Sequence, residues 1–270
     1  MIVNLFDDEW VRKIKVIPTT EKSWVHEVKV PDTNGRTYLS FLRDWFNEFP
    51  VNARQKQVLA KRLESIRNDD HLGAVNELAW WKLIQKEQFQ ANPIPPVNSS
   101  TPDFYVKDPS EFFMEVSTLN VSKKDGINLK TGDSVELNDA ETLRRILGKF
   151  TKEKQQQLSY GADRKTPSVL ILFDYTFSSN FGTEFYEFLG DFLLGKQQGF
   201  QYLPIELSVL VYIERKFLKG RIGVSQLRSA TYYNPNAKYP LPVGTFAQLQ
   251  QFGRIGITPK LLSTDGWIWL

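Results

Sequence analysis

"TPDFYVKDPSEFFMEVST", Thr101 to Thr118, carries Asp103 directly after Pro102 and Glu115 inside an aromatic-rich run. Eleven residues separate the two acids, with the turn-forming "KDPS" at 107–110 between them. Strands are expected at Asp103–Val106 and Phe112–Leu119, and a slightly ragged hairpin would bring both carboxylates to the same end of one face. Carboxylates that converge with backbone carbonyls suit Mg²⁺ and leave positions for water and a phosphate oxygen. Taken alone, the hairpin reads more simply as a turn flanked by surface acids.

Its neighbours sharpen the reading. Upstream, Glu77 is the only acid in the apolar-aromatic helix segment "AVNELAWW" and offers a third carboxylate. Downstream, "KFTKEKQQQLSY" offers Lys149, Lys152, Gln156 and Tyr160. The last three recur at i, i+4 and i+8, one stripe of a continuous helix. "PSVLILFDY" then reads as a buried central strand.

Composition narrows the chemistry. The 270 residues contain no Cys and two His, His26 and His71. Disulfides and thiolate metal sites are excluded, a His/Cys zinc site is nearly so, and neither histidine has a triad motif around it. A catalytic metal would need oxygen ligands, which points to Mg²⁺ or Mn²⁺. The net charge of +3 and pI of about 8.8 permit a polyanionic partner without demanding one. Basic residues that fit such a partner are Lys123, Lys124, Arg144, Arg145, Lys154, Arg164, Lys165, Arg215, Lys216, Lys219 and Arg221; for any one of them a solvated face is the commoner role. No apolar run is long enough to span a bilayer, and "MIVNLFDDEW" has no secretory pattern, so the expected location is the cytoplasm and no membrane partner is expected.

Other segments set the frame. "KIKVIP" and "SWVHEVKVP" alternate as short strands and "GRTYLSFLRDWFNEF" as a helix, which makes 1–50 an N-terminal appendage to a main domain at 51–270. "RQKQVLAKRLESIRN" has Val58, Leu59, Leu63 and Ile66 at helical spacing; the next helix buries Leu72, Val75, Leu78, Leu83 and Ile84, with one of Trp80 and Trp81 inside and the other at a surface. "ANPIPPVNSSTP" should be irregular, "NVSKKDGINLKTGDSVELND" a loop, and "AETLRRILGKFTKEKQQQLSYG" one long helix. "GTEFYEFLGDFLLGKQQG" is helical, "LSVLVYIER" and "RIGVSQLRSATYY" are strands, and "GTFAQLQQFG" is a last short helix. "GDFLLGKQ" nearly matches a phosphate-cradling loop, but it ends in Gln197 and lies late in a helix, so Phe192 and Leu193 read as core.

The ordered set of a helix with Glu77, "PD" at 102–103, Glu115 on the next strand, a Lys/Gln helix and a hydrophobic strand resembles the PD-(D/E)XK nuclease superfamily over about residues 70–240. The resemblance implies an α/β fold: a restriction-endonuclease-like core with a mixed β-sheet flanked by helices. It also implies Glu77, Asp103 and Glu115 as metal-site acids. Gln156 and Tyr160 match the Q-x-x-x-Y pattern of the recombination-exonuclease branch, where that pair faces the DNA backbone. Ser117 stands where the family carries its lysine, and serine has no charge to stabilise a phosphorane or an attacking hydroxide. Either a lysine reaches the site from elsewhere, with Lys152 first and Lys149 next, or the fold is catalytically silent and binds nucleic acid or a protein. The expected activity is Mg²⁺- or Mn²⁺-dependent hydrolysis of DNA, with RNA as a further substrate class. A homodimer is compatible with the chain but is not written in it.

Overall fold

"SVLILFD" has no polar residue between its ends, as a strand covered on both faces requires, and it lies at the middle of the sheet. The structure is a computed structural model that describes residues 4–17, 24, 28, 33–97, 100–120, 139–174, 184–195, 203–218, 221–252 and 266–270. Its strands are β1 (Ala91–Pro93), β2 (Phe104–Val106), β3 (Phe112–Leu119), β4 (Ser168–Asp174), β5 (Val209–Leu218), β6 (Arg221–Ser225), β7 (Ala230–Tyr233), β8 (Gln250–Phe252) and β9 (Trp267–Trp269). The helices are α1 (Asp8–Val16), α2 (Thr33–Glu48), α3 (Ala53–Leu63), α4 (Asn68–Lys86), α5 (Asp139–Gly148), α6 (Gln155–Asp163) and α7 (Glu184–Leu193), with a π-helical turn at Lys149–Glu153.

The sheet runs β1-β2-β3-β4-β5-β6-β9, with β7 also on β5 and β8 on β7. β3, β4 and β5 are mutually parallel, whereas β1-β2, β2-β3, β5-β6, β5-β7 and β6-β9 are antiparallel. The chain is therefore α/β with a mixed sheet flanked by helices.

Alternation along each strand divides the core between the two faces. Val169, Ile171 and Phe173 join Met114, Val116, Val211 and the α4 residues Val75 and Leu78 in one cluster. Leu170 and Leu172 join Ile146, Phe150, Leu158, Leu189 and Tyr212 in the other. Each such side chain contributes about 1.5–3 kcal/mol by leaving water, so Ile171→Asp would unseat the sheet.

Several expectations are corrected. "KIKVIP" lies largely in α1: Asp7 caps the helix by accepting from the Trp10 N–H, Asp8 and Glu9 sit in its first turn, and Lys13 and Lys15 in its last. These end signals outweigh a short alternation. "SWVHEVKVP" lies almost wholly outside the described residues, and its two described members, Trp24 and Val28, are helical rather than extended. The described part of 1–50 is helical elsewhere too, and Leu42, Trp45 and Phe46 share the core cluster of Trp80 and Met114.

Val58 and Ile66 are exposed, because α3 ends at Leu63 and buries Leu59, Ala60 and Leu63 instead. Trp80 and Trp81 are both buried: Trp80 Nε1 meets Met114 Sδ at 3.2 Å, and Trp81 packs edge-on against Phe49. That second covering layer comes from a distant segment, which local periodicity does not register.

Ala91–Pro93 is an edge strand within the proline-rich stretch, and an edge tolerates the missing proline N–H. "RIGVSQLRSATYY" is broken at 226–229 into β6 and β7, which follow one another along the same edge of β5. "GTFAQLQQFG" makes turns and then β8, paired to β7, with the Gln251 amide donating to Leu249 O at 2.8 Å. The long helix after 139 is interrupted by the π turn, which is closed by the Lys154 N–H on Lys149 O at 2.8 Å. The expected loop at 120–139, Lys123 and Lys124 within it, and Lys219 lie outside the described residues apart from the loop's ends.

Candidate active site

The register of β2 on β3 pairs Phe104 with Met114; one residue further, it sets Asp103 opposite Glu115. β2 starts only at Phe104, and the Asp103 side chain takes up the free edge of β3, its Oδ2 accepting the Val116 N–H at 2.8 Å. The carboxylate is thereby anchored beside its neighbour rather than left to solvent.

Glu115 is 5% exposed and faces the α5–α6 layer. Its Oε1 accepts from Lys154 Nζ at 2.6 Å, and its Oε2 is buried without a hydrogen-bond partner. Lys154 reaches it because the π turn inserts one residue per turn, rotating the upstream chain by about 100° relative to α6. The expected stripe of Lys152, Gln156 and Tyr160 is broken for the same reason.

Close packing holds α6 in place. A Cβ on Gly161 would stand 2.2 Å from Ser168 Oγ and 3.0 Å from Thr166 O, so glycine lets the helix lie directly on the start of β4. Ser168 Oγ in turn donates to Leu158 O at 2.9 Å.

Glu77 approaches from α4 and pairs with Arg62 of α3, with Arg62 Nη2 2.6 Å from Glu77 Oε1. The helix is located by the adjacent Asn76, which donates to Thr118 Oγ1 at 2.9 Å and accepts from Arg215 Nε at 3.0 Å. Both Asn76 and Arg215 are buried, so α4 is tied to β3 and β5 by polar contacts that only one geometry satisfies.

The electrostatics bind these groups into one site. Burial, then Glu115, then Glu77 push the Asp103 carboxyl well above its ordinary range, against the Val116 N–H and Lys154. Burial raises Glu115 as well, although Lys154 opposes the shift. For Lys154 burial works downward, but Glu115 with Asp103 and Glu77 outweighs it and the ammonium is held above its usual value. Burial therefore raises the acids, and the acids raise the base, in a site where three carboxylates face two cations, Arg62 and Lys154.

Of the remaining expected residues, Ser117 is buried on the Glu115 face of β3. Lys149 bonds to Glu153 at 2.6 Å, and Lys152 is exposed; neither is the lysine on Glu115. Gln156 is exposed. Tyr160 stands edge-on to Phe113 with the Arg164 guanidinium 3.5 Å over its ring.

Sequence reasoning missed the roles of Lys154 and Arg62. Lys154 stood only among the general basic residues, because its place depends on a π turn with no composition signal. For Arg62 the available hint was Gly73 in the interior of α4, an unfavourable helix residue whose missing Cβ leaves 3.3 Å to Arg62 Nη2.

Two other polar clusters hold buried titratable groups, and in the second of them Glu214 Oε1 is buried without a hydrogen-bond partner. His71 lies fully buried between Leu63 O and Tyr38 Oη, each 2.6 Å from a ring nitrogen, and Trp24 stacks on it; burial pushes its pKa down to about 3. Asp174 and Glu214 sit side by side on β4 and β5, where Asp174 accepts from Tyr212 and Glu214 pairs with Lys216 at 3.1 Å and Arg228 at 3.6 Å.

No group of three or more His, Cys, Asp or Glu side chains among the described residues is arranged to hold a metal ion as it stands. The donors nonetheless suit one in kind: all are carboxylate oxygens, and Glu115 Oε2 is a buried acceptor without a hydrogen-bond partner. Among the described residues no helix is long and apolar enough to cross a membrane. The chain matches no protein-family model, and comparison with curated proteins and with solved structures found no match.

Proposed function

We propose that this chain is a Mg²⁺- or Mn²⁺-dependent nuclease that hydrolyses phosphodiester bonds of DNA, with RNA as a further substrate class, on a restriction-endonuclease-like core. The observation that carries the reading is the Glu115 carboxylate, one oxygen on Lys154 and the other buried and unpartnered opposite Asp103. Asp103 and Glu115 would hold the cation, with Glu77 as a third donor once Arg62 is displaced. A divalent cation there would supply Lewis acidity and lower the pKa of its bound water toward neutrality.

Lys154 fills the electrostatic role that Ser117 cannot. Its raised pKa keeps it protonated, so it serves as a fixed positive charge for the phosphoryl oxygens or a proton donor to the leaving oxygen, not as a base. The anchoring of Asp103 on the Val116 N–H orients its carboxylate before anything binds, which spares reorganisation during the reaction.

The test is nicking of supercoiled plasmid with Mg²⁺ or Mn²⁺. Wild type should cut, and Asp103→Asn, Glu115→Gln and Lys154→Met should each lose at least 100-fold, about the contribution of one positioned charge. Absence of cleavage of DNA and RNA, single- or double-stranded, with either cation would sink the nuclease reading. The second reading, a catalytically silent module that binds nucleic acid or a protein, draws on the ion pairs already compensating Glu77 and Glu115.

A further inference from the structure

Arg62 extends from the last turn of α3 across α4 to Glu77. Its side chain is 37% exposed, whereas that of Glu77 is 15% exposed, so the guanidinium forms the solvent-side cover of the acid. Asp103 and Asp70 also act on it, which places it within the field of Asp103 as well as Glu77. Gly73, one turn before Glu77, gives that passage room: a Cβ there would stand 3.3 Å from Arg62 Nη2, a tight contact. Glycine in a helix interior costs about 1 kcal/mol relative to alanine, and room for the guanidinium is a reason for it.

The pairing also bears on why three nearby acids do not form a ready metal cage. Lys154 bonds Glu115 Oε1 and leaves Oε2 buried without a partner, while Arg62 engages Oε1 of Glu77, the acid that would complete the cage. A half-buried arginine on the solvent side of its acid can leave: its stem is flexible, and a partly exposed ion pair is worth only about 1 kcal/mol.

We propose that Arg62 is a displaceable counter-ion, which holds Glu77 in the metal-free protein and yields it to a divalent cation. This rests on the reading of the carboxylates as a metal site. Displacement makes metal binding weaker than the three acids alone would allow. It also frees a planar guanidinium at the rim, where phosphodiester oxygens are its natural partners.

The experiment is calorimetric titration of the full chain with Mn²⁺, on wild type, Arg62→Gln, Gly73→Ala and Glu77→Gln. Arg62→Gln should bind Mn²⁺ about 5–10-fold more tightly, a coupling of the usual size between competing ligands. Gly73→Ala, which crowds the guanidinium without altering charge, should shift binding in the same direction by a smaller factor. Glu77→Gln should abolish the gain when combined with Arg62→Gln. Binding to wild type with an unchanged or weaker affinity in Arg62→Gln and Gly73→Ala overturns the counter-ion role while leaving the metal site standing. No Mn²⁺ binding by any variant overturns both. If Arg62→Gln fails to fold, Gly73→Ala decides the matter alone.

Discussion

Lys154 meets Glu115 across 39 positions of the chain, Nζ to Oε1 at 2.6 Å, while Lys152, two residues earlier, stays exposed. The two lysines therefore give opposite expectations. Lys154→Met leaves Glu115 buried without its cation and should cost about 3 kcal/mol, as broken buried pairs do. Lys152→Met should change stability by no more than about 0.5 kcal/mol. Urea unfolding of both variants checks this, and Lys154→Met combined with Glu115→Gln should recover most of the loss.

Asp103 should make the metal-free protein less stable as pH rises. Its folded-state pKa lies well above the ordinary 3.8, so the native state holds the proton more tightly than the unfolded chain. That advantage is complete below pH 3.8 and is lost as pH rises through the higher folded value. Asp103→Asn keeps an acceptor for the Val116 N–H and removes the repulsion. At pH 7 without metal it should gain on the order of 1 kcal/mol, or about 2–4 °C in Tm. Thermal melts at pH 4 and pH 7 decide it, since the gain should shrink at the lower pH.

His71 has the reverse sign. Its pKa falls from 6.5 to about 3 in the folded protein, so protons bind the unfolded chain preferentially between those values. Stability present above pH 6.5 is lost as pH drops toward 3. His71→Asn should flatten that slope while lowering stability at pH 7, because the stack on Trp24 is lost. Denaturant titrations at half-unit pH steps measure both effects.

Gly161→Ala should destabilise by about 1–3 kcal/mol through the clash with Ser168 Oγ and Thr166 O. The displacement of α6 should also carry Lys154 away from Glu115. The variant should therefore lose cleavage more steeply than stability, a ratio that paired melting and nicking assays would show. Ser168→Ala in the same chain should restore part of both.

Asn76→Ala removes the acceptor of Arg215 Nε and the donor to Thr118 inside the core. A loss of about 3 kcal/mol is expected. Hydrogen exchange should show the loosening in α4 and β3 ahead of α7, which packs on the opposite face of the sheet.

Much of the fold was legible because burial writes itself into residue period. The unbroken apolar run of β4 and the aromatic run of β3 state that these strands are covered. Asp103 and Glu115 were legible as a pair for a related reason: a hairpin's register follows from its turn, and the register sets them opposite one another. The acid at Glu77 stood out by contrast with its apolar surroundings. Short segments were misread where end signals or a distant covering layer outweighed alternation, as in α1 and at Trp81.

Which cation meets which acid was decided only by the tertiary structure. Lys154 reaches Glu115 through a π turn that shifts helix phase by one residue, and Arg62 reaches Glu77 through a gap left by Gly73. Both contacts join residues whose local patterns are ordinary, a Lys/Gln-rich helix and a basic helix end. Periodicity reports the face a residue takes on its own element; it carries no information on how two elements are rotated against each other. The acids were thus written in the chain, and their partners emerged from packing.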